Sequence, residues 1–242
     1  KAPKAPTETL VFPDHRPTSA SVPEAPPAHA ITSTEPGLLE ISQADKLVTY
    51  LSSLSLSESK IEAAKWILDQ WGVVPGNLSG SNEWLLDDLN NDYQLIPYEM
   101  SGNMDRLIQL NYPAILEITL PNGQGTKYLA LLSVNKKVGK FGSVDRIEMP
   151  LENLEQLWNG KAIILWRDFE NLPLKLSNGY KGKEALWVQK NLRLLGFFKG
   201  REAPVYGPKT REAVIRFQRR YGIKDEGIFN TETRLMVYNL LN

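Results

Sequence analysis

The chain has 242 residues, with 28 Lys plus Arg and 28 Asp plus Glu, so its formal net charge at pH 7 is zero. Its 42% hydrophobic and 23% charged residues are typical of a globular protein of one large domain or two ordinary ones. It contains no cysteine, which excludes disulfides, thiolate nucleophiles and cysteine-ligated zinc.

Residues 1–36 hold eight of the sixteen prolines and both histidines, His15 and His29, but few large apolar side chains. Such a stretch buries too little surface to offset the entropy of ordering, so we predict a Pro-rich disordered linker. The alternative is a tail without a role. The chain starts without Met and shows no signal peptide, so we expect it to be a piece of a longer protein.

The next segment, residues 37–175, begins with helical patterns and continues with alternating apolar residues, which is typical of an α+β domain. We call it the first domain. Pro121-Asn-Gly-Gln-Gly125 is a turn signal that predicts a hairpin. Predicted helices cover residues 41–54, 59–71, 84–89, 104–110 and 151–158, and predicted strands cover residues 113–120, 126–134, 138–140, 144–149 and 161–166.

The last segment, residues 176–242, predicts three helices over residues 183–195, 208–221 and 231–241, and we call it the C-terminal module. Gly196 and Gly222 follow the first two helices and favour their termination. The stretch Tyr206-Gly-Pro-Lys-Thr-Arg-Glu-Ala-Val214 is repeated as Phe229-Asn-Thr-Glu-Thr-Arg-Leu-Met-Val237. An all-α three-helix module with an internal repeat is therefore expected.

Four motifs of this module resemble the peptidoglycan-binding domain type 1 family. They are Val188-Gln-Lys-Asn-Leu-Arg-Leu-Leu-Gly196, Tyr206-Gly-Pro-Lys-Thr210, Ala213-Val-Ile-Arg-Phe-Gln218 and Asp225-Glu-Gly227. Two details depart from the family pattern: Gln189 is displaced within the first helix, and Glu226 separates Asp225 from Gly227. The resemblance implies that a wall peptide binds in a shallow groove.

Charge favours the same ligand. Residues 180–242 carry thirteen Lys and Arg against six Asp and Glu, a net charge of +7, and the remainder of the chain carries −7. A basic surface attracts the free carboxylates of peptidoglycan stems. It is also typical of nucleic-acid binders, but no helix-turn-helix spacing accompanies it, so we expect no nucleic acid partner. The candidate peptidoglycan-binding residues are Tyr206, Thr210, Arg211, Arg216, Gln218, Arg219, Arg220 and Asp225.

Several of these residues also have a purely structural interpretation. Thr210 could bond the local turn, and Gln218 could satisfy backbone groups, since it lies on the apolar stripe of its helix. Tyr206 faces either the ligand or the interior. The arginines could be an ordinary solvated face.

In the first domain, two motifs resemble the C39-like cysteine peptidases. The segment from Ser59 to Gly72 resembles their nucleophile helix, with Ser59 at the cysteine position. Gly125-Thr-Lys-Tyr-Leu-Ala-Leu-Leu132 resembles the strand that carries their histidine, with Lys127 at the histidine position. The resemblance implies a papain-like fold whose catalytic positions are degenerate.

The chemistry of these two residues favours a pseudo-peptidase. A serine without a base is a poor nucleophile, although Ser-Lys enzymes exist. The structural alternative is that Ser59 and Glu62 form a helix capping box. We therefore expect no catalytic residue, no metal and no cofactor in this chain.

The order of linker, degenerate C39-like domain and peptidoglycan-binding module resembles the periplasmic region of the GspA/ExeA family of type II secretion proteins. The resemblance implies an upstream ATPase, a single inner-membrane helix outside this chain, a GspB-like inner-membrane partner and a role in secretin assembly at the cell wall. Two alternatives stay open: a wall hydrolase that uses a Ser-Lys dyad or carboxylates, and a purely protein-binding assembly factor. Homo-oligomerisation is also open.

Overall fold

The computed structural model describes residues 42–76, 78, 84–121 and 123–241. The predicted linker, residues 1–36, lies outside this part of the chain. Residues Ile41–Asn242 form one compact unit, which contains the described residues of both the first domain and the C-terminal module. No helix in the described part is long and apolar enough to cross a lipid bilayer.

The first domain is built on a six-stranded sheet in which every neighbouring pair is antiparallel. The strand order is β1-β6-β2-β3-β4-β5, so the last strand inserts between the first two. The predicted α+β class is confirmed. The strands are β1 (Ile96–Ser101), β2 (Ala114–Leu120), β3 (Gly125–Asn135), β4 (Val138–Gly142), β5 (Arg146–Pro150) and β6 (Trp158–Trp166).

Four α-helices accompany this sheet. They are α1 (Gln43–Ser53), α2 (Leu56–Gln70), α3 (Trp84–Tyr93) and α4 (Met104–Leu110), and a 3-10 helix, Leu151–Leu154, precedes β6. The α2 helix begins with a capping box in which the Ser55 hydroxyl accepts from the Glu58 N–H and the Glu58 carboxylate accepts from the Ser55 N–H.

Three sequence predictions need correction here. The capping box expected at Ser59 was wrong, because α2 starts three residues earlier and Ser59 lies inside it. The helix expected over residues 151–158 is a short 3-10 turn, after which β6 starts at Trp158. Strand β1 was missed although Ile96, Tyr98 and Met100 alternate with less apolar residues. Its Pro97 argues against a central strand and is tolerated here because β1 is an edge strand.

The sheet is buried on both faces, as the alternation along β2 shows. Ile115 packs in a cluster with Ala64, Ile67 and Leu68 of α2. Its neighbour Leu116 belongs to a larger cluster that includes α1, α4 and the C-terminal module. The module therefore shares a hydrophobic core with the sheet face opposite α2.

The C-terminal module contains α5 (Lys183–Leu194), α6 (Pro208–Arg220) and α7 (Thr231–Leu241), and the three predicted helices are confirmed. Gly196 and Gly222 have φ angles of 82° and 63°, the left-handed conformation that closes a helix with little strain in glycine. These two glycines end α5 and α6 as the sequence predicted.

A buried ion pair fastens the module to the first domain. Arg234 of α7 is 1% exposed, and its Nη1 donates to the Asp168 carboxylate at 2.8 Å. The other Asp168 oxygen accepts from the Tyr238 hydroxyl at 2.8 Å. The Arg234 guanidinium also lies 5.6 Å from the Trp166 ring centroid. A pair this well desolvated is costly to break on one side only.

A second set of contacts joins α4 to the module. Arg106 pairs with Glu232 and donates from Nη1 to the Tyr221 carbonyl at 2.9 Å. The Tyr112 hydroxyl donates to the Leu235 carbonyl at 3.1 Å, and burial raises the pKa of Tyr112. The module is consequently held by polar contacts at two places as well as by the shared core.

Candidate functional site

The loop that precedes α6 is held by one buried glutamine of α5. The Nε2 amide of Gln189 donates to the Val205 carbonyl at 2.8 Å and to the Thr210 hydroxyl at 2.9 Å. Its Oε1 accepts from the Ala203 N–H at 2.8 Å. Both the amide nitrogen and the amide oxygen of Gln189 are therefore hydrogen-bonded, and they clamp the loop to α5.

The loop that precedes α7 is held in the same way by Gln218 of α6. Its Nε2 donates to the Ile228 carbonyl at 2.8 Å and to the Thr233 hydroxyl at 3.0 Å, and its Oε1 accepts from the Gly227 N–H at 2.9 Å. The internal repeat seen in the sequence is therefore a structural repeat, in which a helix, a clamped loop and the next helix occur twice.

Three of the predicted ligand-binding residues belong to this framework. Tyr206 and Gln218 are fully buried and Thr210 is 2% exposed. The Tyr206 hydroxyl donates to the Gly227 carbonyl at 3.0 Å, and burial raises the pKa of Tyr206. The polar groups of these three residues are occupied within the module, which favours the structural interpretation that the sequence left open, and the residues shape the site from inside.

The five other predicted residues lie on the surface. Arg219 Nε donates to the Asp225 carboxylate at 2.5 Å, and this hydrogen bond lowers the pKa of Asp225. Arg216 Nη2 donates to the Phe197 carbonyl at 2.7 Å. Among the described residues, no hydrogen bond or ion pair engages the guanidinium of Arg211 or Arg220. These charges remain available to an anionic ligand.

Helix α6 carries five exposed cations, of which three share one side, while Arg219 pairs with Asp225 and Arg211 lies apart from the three. Lys209, Arg216 and Arg220 follow at i, i+7 and i+11, a spacing that places them along one side of the helix. We call these three residues the basic stripe. Arg211 lies on another side, where its Cγ borders Gly227. The arginines that the sequence grouped together therefore do not form one patch.

Residues 181–236 match the family model of the putative peptidoglycan binding domain. The match includes both glutamine clamps and both threonines that they hold. No curated protein matches the chain in a search of sequences. The peptidoglycan-binding fold expected from the motifs is confirmed for this stretch.

Several solved structures resemble parts of this chain in backbone fold. A periplasmic domain of the EpsAB fusion protein of the Vibrio vulnificus type II secretion system is 16% identical, with 79% of this chain and 81% of that chain covered at a TM-score of 0.46. The peptidase C39-like domain of a toxin secretion ATP-binding protein from Vibrio parahaemolyticus is 18% identical, with 50% and 93% covered at a TM-score of 0.30. The N-terminal domain of SleB is 25% identical, with 31% and 100% covered at a TM-score of 0.29.

The two residues that the sequence motifs single out in the first domain, Ser59 and Lys127, are bonded to backbone groups. Ser59 is fully buried, and its hydroxyl donates to the Leu56 carbonyl at 2.8 Å and accepts from the Tyr128 N–H at 3.1 Å. The Lys127 ammonium donates to the Leu54 carbonyl. The Ser59 proton is therefore directed to a carbonyl and not to Lys127, so the geometry does not form a Ser-Lys dyad.

The first domain also contains a cavity of about 410 Å³ on the sheet, lined by two glutamates and by basic and aromatic groups. Glu117 accepts from the Asn159 side chain at 2.5 Å and pairs with Lys161 at 3.4 Å. No group of His, Asp or Glu residues in the described chain is arranged to hold a metal ion. The cavity is lined by Lys60, Leu86, Glu99, Met100, Ser101, Ile115, Glu117, Tyr128, Lys161, Ala162 and Ile163.

Proposed function

We propose that this chain is a non-catalytic, peptidoglycan-binding, periplasmic component of a type II secretion assembly complex. It ties an inner-membrane ATPase to the cell wall and so assists secretin assembly. One observation carries the proposal: the match of residues 181–236 to the peptidoglycan-binding family, in a module whose internal repeat is intact. The order of parts along the chain, a degenerate C39-like domain before this module, supports the secretion role.

Electrostatics supports the choice of ligand. The module carries a net charge of +7 with thirteen Lys and Arg, while the rest of the chain carries −7. Stem peptides of the wall present free carboxylates, which exposed guanidinium groups bind through charge-assisted hydrogen bonds. Arg211 and Arg220 are the exposed arginines of α6 that no described residue engages.

The absence of turnover is proposed from the same structure. A hydrolase of the C39 type needs a thiolate and an imidazole, and the chain has no cysteine and only two histidines, both before residue 37. The residues at those two positions, Ser59 and Lys127, bond to backbone carbonyls.

Docking of the module makes anchoring mechanically effective. The Asp168–Arg234 pair and the shared core join the module to the sheet, so a load on the wall-binding side reaches the first domain without a flexible hinge. Because the binding module and the membrane anchor would be in one protein, capture of the wall becomes effectively intramolecular.

The experiment is co-sedimentation of the chain with purified sacculi at low and at high salt. We expect pelleting at low salt and less pelleting at high salt, since salt screens exposed charges. Absence of pelleting at low salt would contradict wall binding. Release of soluble muropeptides during the incubation would contradict the non-catalytic role and favour a hydrolase.

A partner experiment addresses the secretion role. We expect the full-length protein to co-purify with a GspB-like inner-membrane protein, and we expect this association to survive removal of the C-terminal module's surface charges. Normal pelleting combined with no such partner would leave a wall-binding protein outside the secretion complex.

A further inference from the structure

The two copies of the internal repeat each place an arginine directly after the clamped threonine. In the first copy Thr210 is followed by Arg211, and in the second copy Thr233 is followed by Arg234. Both threonine hydroxyls accept from a buried glutamine, so the backbone positions of the two arginines are equivalent. The two copies differ in the groups that the arginine guanidinium contacts.

In the second copy the arginine binds a loop of the first domain. Nη1 of Arg234 donates to the Asp168 carboxylate at 2.8 Å and to the Leu172 carbonyl at 3.3 Å, and its Nη2 donates to the Pro173 carbonyl. The ligand of this arginine is thus a piece of peptide that offers one carboxylate and two main-chain carbonyls. The repeat thus already binds a carboxylate and main-chain carbonyls through its arginine, within its own chain.

In the first copy the equivalent arginine is exposed. Arg211 lies against Gly227, where a Cβ atom would come within 2.6 Å of the Arg211 Cγ and 3.0 Å of the Ile215 Cγ1. Gly227 also has a φ angle of 68°, which a side chain would strain. The glycine therefore lets the Arg211 stem lie flat on the loop, and its guanidinium has no bonded acid among the described residues.

We propose that Arg211 is the carboxylate-binding residue of the module, and that its ligand is a short peptide with a free carboxylate and adjacent carbonyl groups. The loop from Asp168 to Pro173 is the intramolecular counterpart of that ligand at the second copy. This inference rests on the proposed function, which makes the stem peptide of the wall the source of the carboxylate. A guanidinium suits the task because it can bind a carboxylate through two parallel hydrogen bonds.

One difference between the copies predicts how strongly the ligand binds. Tyr238, four residues after Arg234, donates to the same carboxylate, whereas Ile215 stands four residues after Arg211. The open site thus lacks the second donor and the burial of the closed one. Weak, reversible binding of a single peptide is expected, with retention on the wall arising from the many peptides that a sacculus presents.

The test is a binding titration of the chain with a free stem tetrapeptide, compared with the same peptide after amidation of its carboxylates. Variants Arg211→Gln and Arg201→Gln remove the same charge from exposed positions of the module. We expect amidation and Arg211→Gln each to weaken binding about tenfold, the loss that follows from one charged hydrogen bond, and Arg201→Gln to have little effect. Circular dichroism and thermal unfolding verify that both variants fold.

Wild-type affinity of Arg211→Gln, or equal binding of the amidated peptide, overturns the inference. Pelleting of the wild-type chain with sacculi separates the two claims. If the chain pellets but does not bind the free peptide, the module recognises the glycan and the inference fails while wall binding stands. If the chain does not pellet at all, the proposed function fails, and peptide binding that depends on Arg211 would still support the site.

Discussion

The first domain and the C-terminal module differ in which of their polar side chains are bonded within the protein and which are exposed. In the first domain, the Ser59 hydroxyl and the Lys127 ammonium donate hydrogen bonds to backbone carbonyls. In the module, backbone and glutamine groups satisfy each other inside, and several arginines of α6 remain outside. The comparison teaches that a polar side chain bonded to the backbone has no group left to act on a ligand, whereas an exposed guanidinium that the fold leaves unbonded can bind an anion.

The largest expected effect concerns the junction between the two regions. Arg234→Met leaves the Asp168 carboxylate in a nearly buried position with the Tyr238 hydroxyl and one backbone N–H as its partners. We expect the free energy of unfolding to fall by about 3–5 kcal/mol, measured by urea denaturation. Arg219→Gln, which removes an exposed arginine of an ion pair, is the matched control with a loss of about 1 kcal/mol or less. Equal losses would show that the junction is no stronger than a surface pair.

Next in size is the glutamine clamp. Gln218→Ala leaves the Gly227 N–H and the Ile228 carbonyl without their partner in a buried place. We expect a loss of about 2–3 kcal/mol in the free energy of unfolding. Gln189→Ala should cost a similar amount, because Gln189 makes the same three kinds of hydrogen bond. A large difference between the two variants would mean that the repeat is symmetric in geometry but not in energy.

A smaller effect separates structure from catalysis in the first domain. Ser59→Ala removes the acceptor of the partly buried Tyr128 N–H, so we expect a loss of about 1–2 kcal/mol in stability. Muropeptide release from sacculi should be at background for both the wild type and the variant. Turnover by the wild type that Ser59→Ala abolishes would make the first domain an enzyme.

The contribution of the basic stripe to wall binding is expected to be modest. Arg216→Glu reverses one exposed charge and removes the hydrogen bond to the Phe197 carbonyl. We expect sacculus pelleting to weaken about threefold to tenfold at low salt, with little change in thermal unfolding, because surface charges contribute more to attraction than to stability. Unchanged pelleting would remove Arg216 from the binding surface and confine recognition to other cations.

The smallest effect tests where α2 begins. Ser55→Ala removes the hydroxyl that accepts from the Glu58 N–H in the capping box. The pKa of Glu58 is lowered first by the hydrogen bond from the Ser55 N–H, which alanine keeps, and second by the Ser55 side chain, which alanine lacks. We expect NMR titration to show the pKa of Glu58 rising towards its ordinary value, and stability to fall by about 1 kcal/mol. Since the folded pKa is the lower one, this stability is present above the ordinary pKa of a glutamate and is lost as the pH falls through the folded value. Unchanged stability of Ser55→Ala would show that the Ser55 hydroxyl does not cap α2.

Local patterns predicted most helices and strands of this chain because their periods are read over a few neighbouring residues. Helical patterns predicted α4 and α7, and the turn signal from Pro121 to Gly125 predicted the β2–β3 hairpin. Strand β1 escaped because a proline within a short run argues against a strand, although at the edge of a sheet the missing N–H need not break the ladder.

The site was predicted less well than the fold. The repeat of Thr-Arg motifs was visible in the sequence, and it contained the equivalence between Arg211 and Arg234. Sequence spacing placed Gln218 on the apolar stripe of α6, which already indicated burial, yet the family pattern suggested ligand contact. The side chains that clamp the loops and those that face solvent alternate within a single helical turn, so their roles depend on which side the core covers.

The sequence by itself determined the composition and the local patterns of this protein. It has no cysteine, no histidine after residue 36, a basic C-terminal module, and three helices of which the first two end at glycines. Only the tertiary structure decided that Asp168 meets Arg234, that Lys127 bonds to Leu54 and that Arg211 stays exposed. The physical reason is that these contacts join residues far apart in the chain, and their free energy depends on burial and partners, which no local pattern contains.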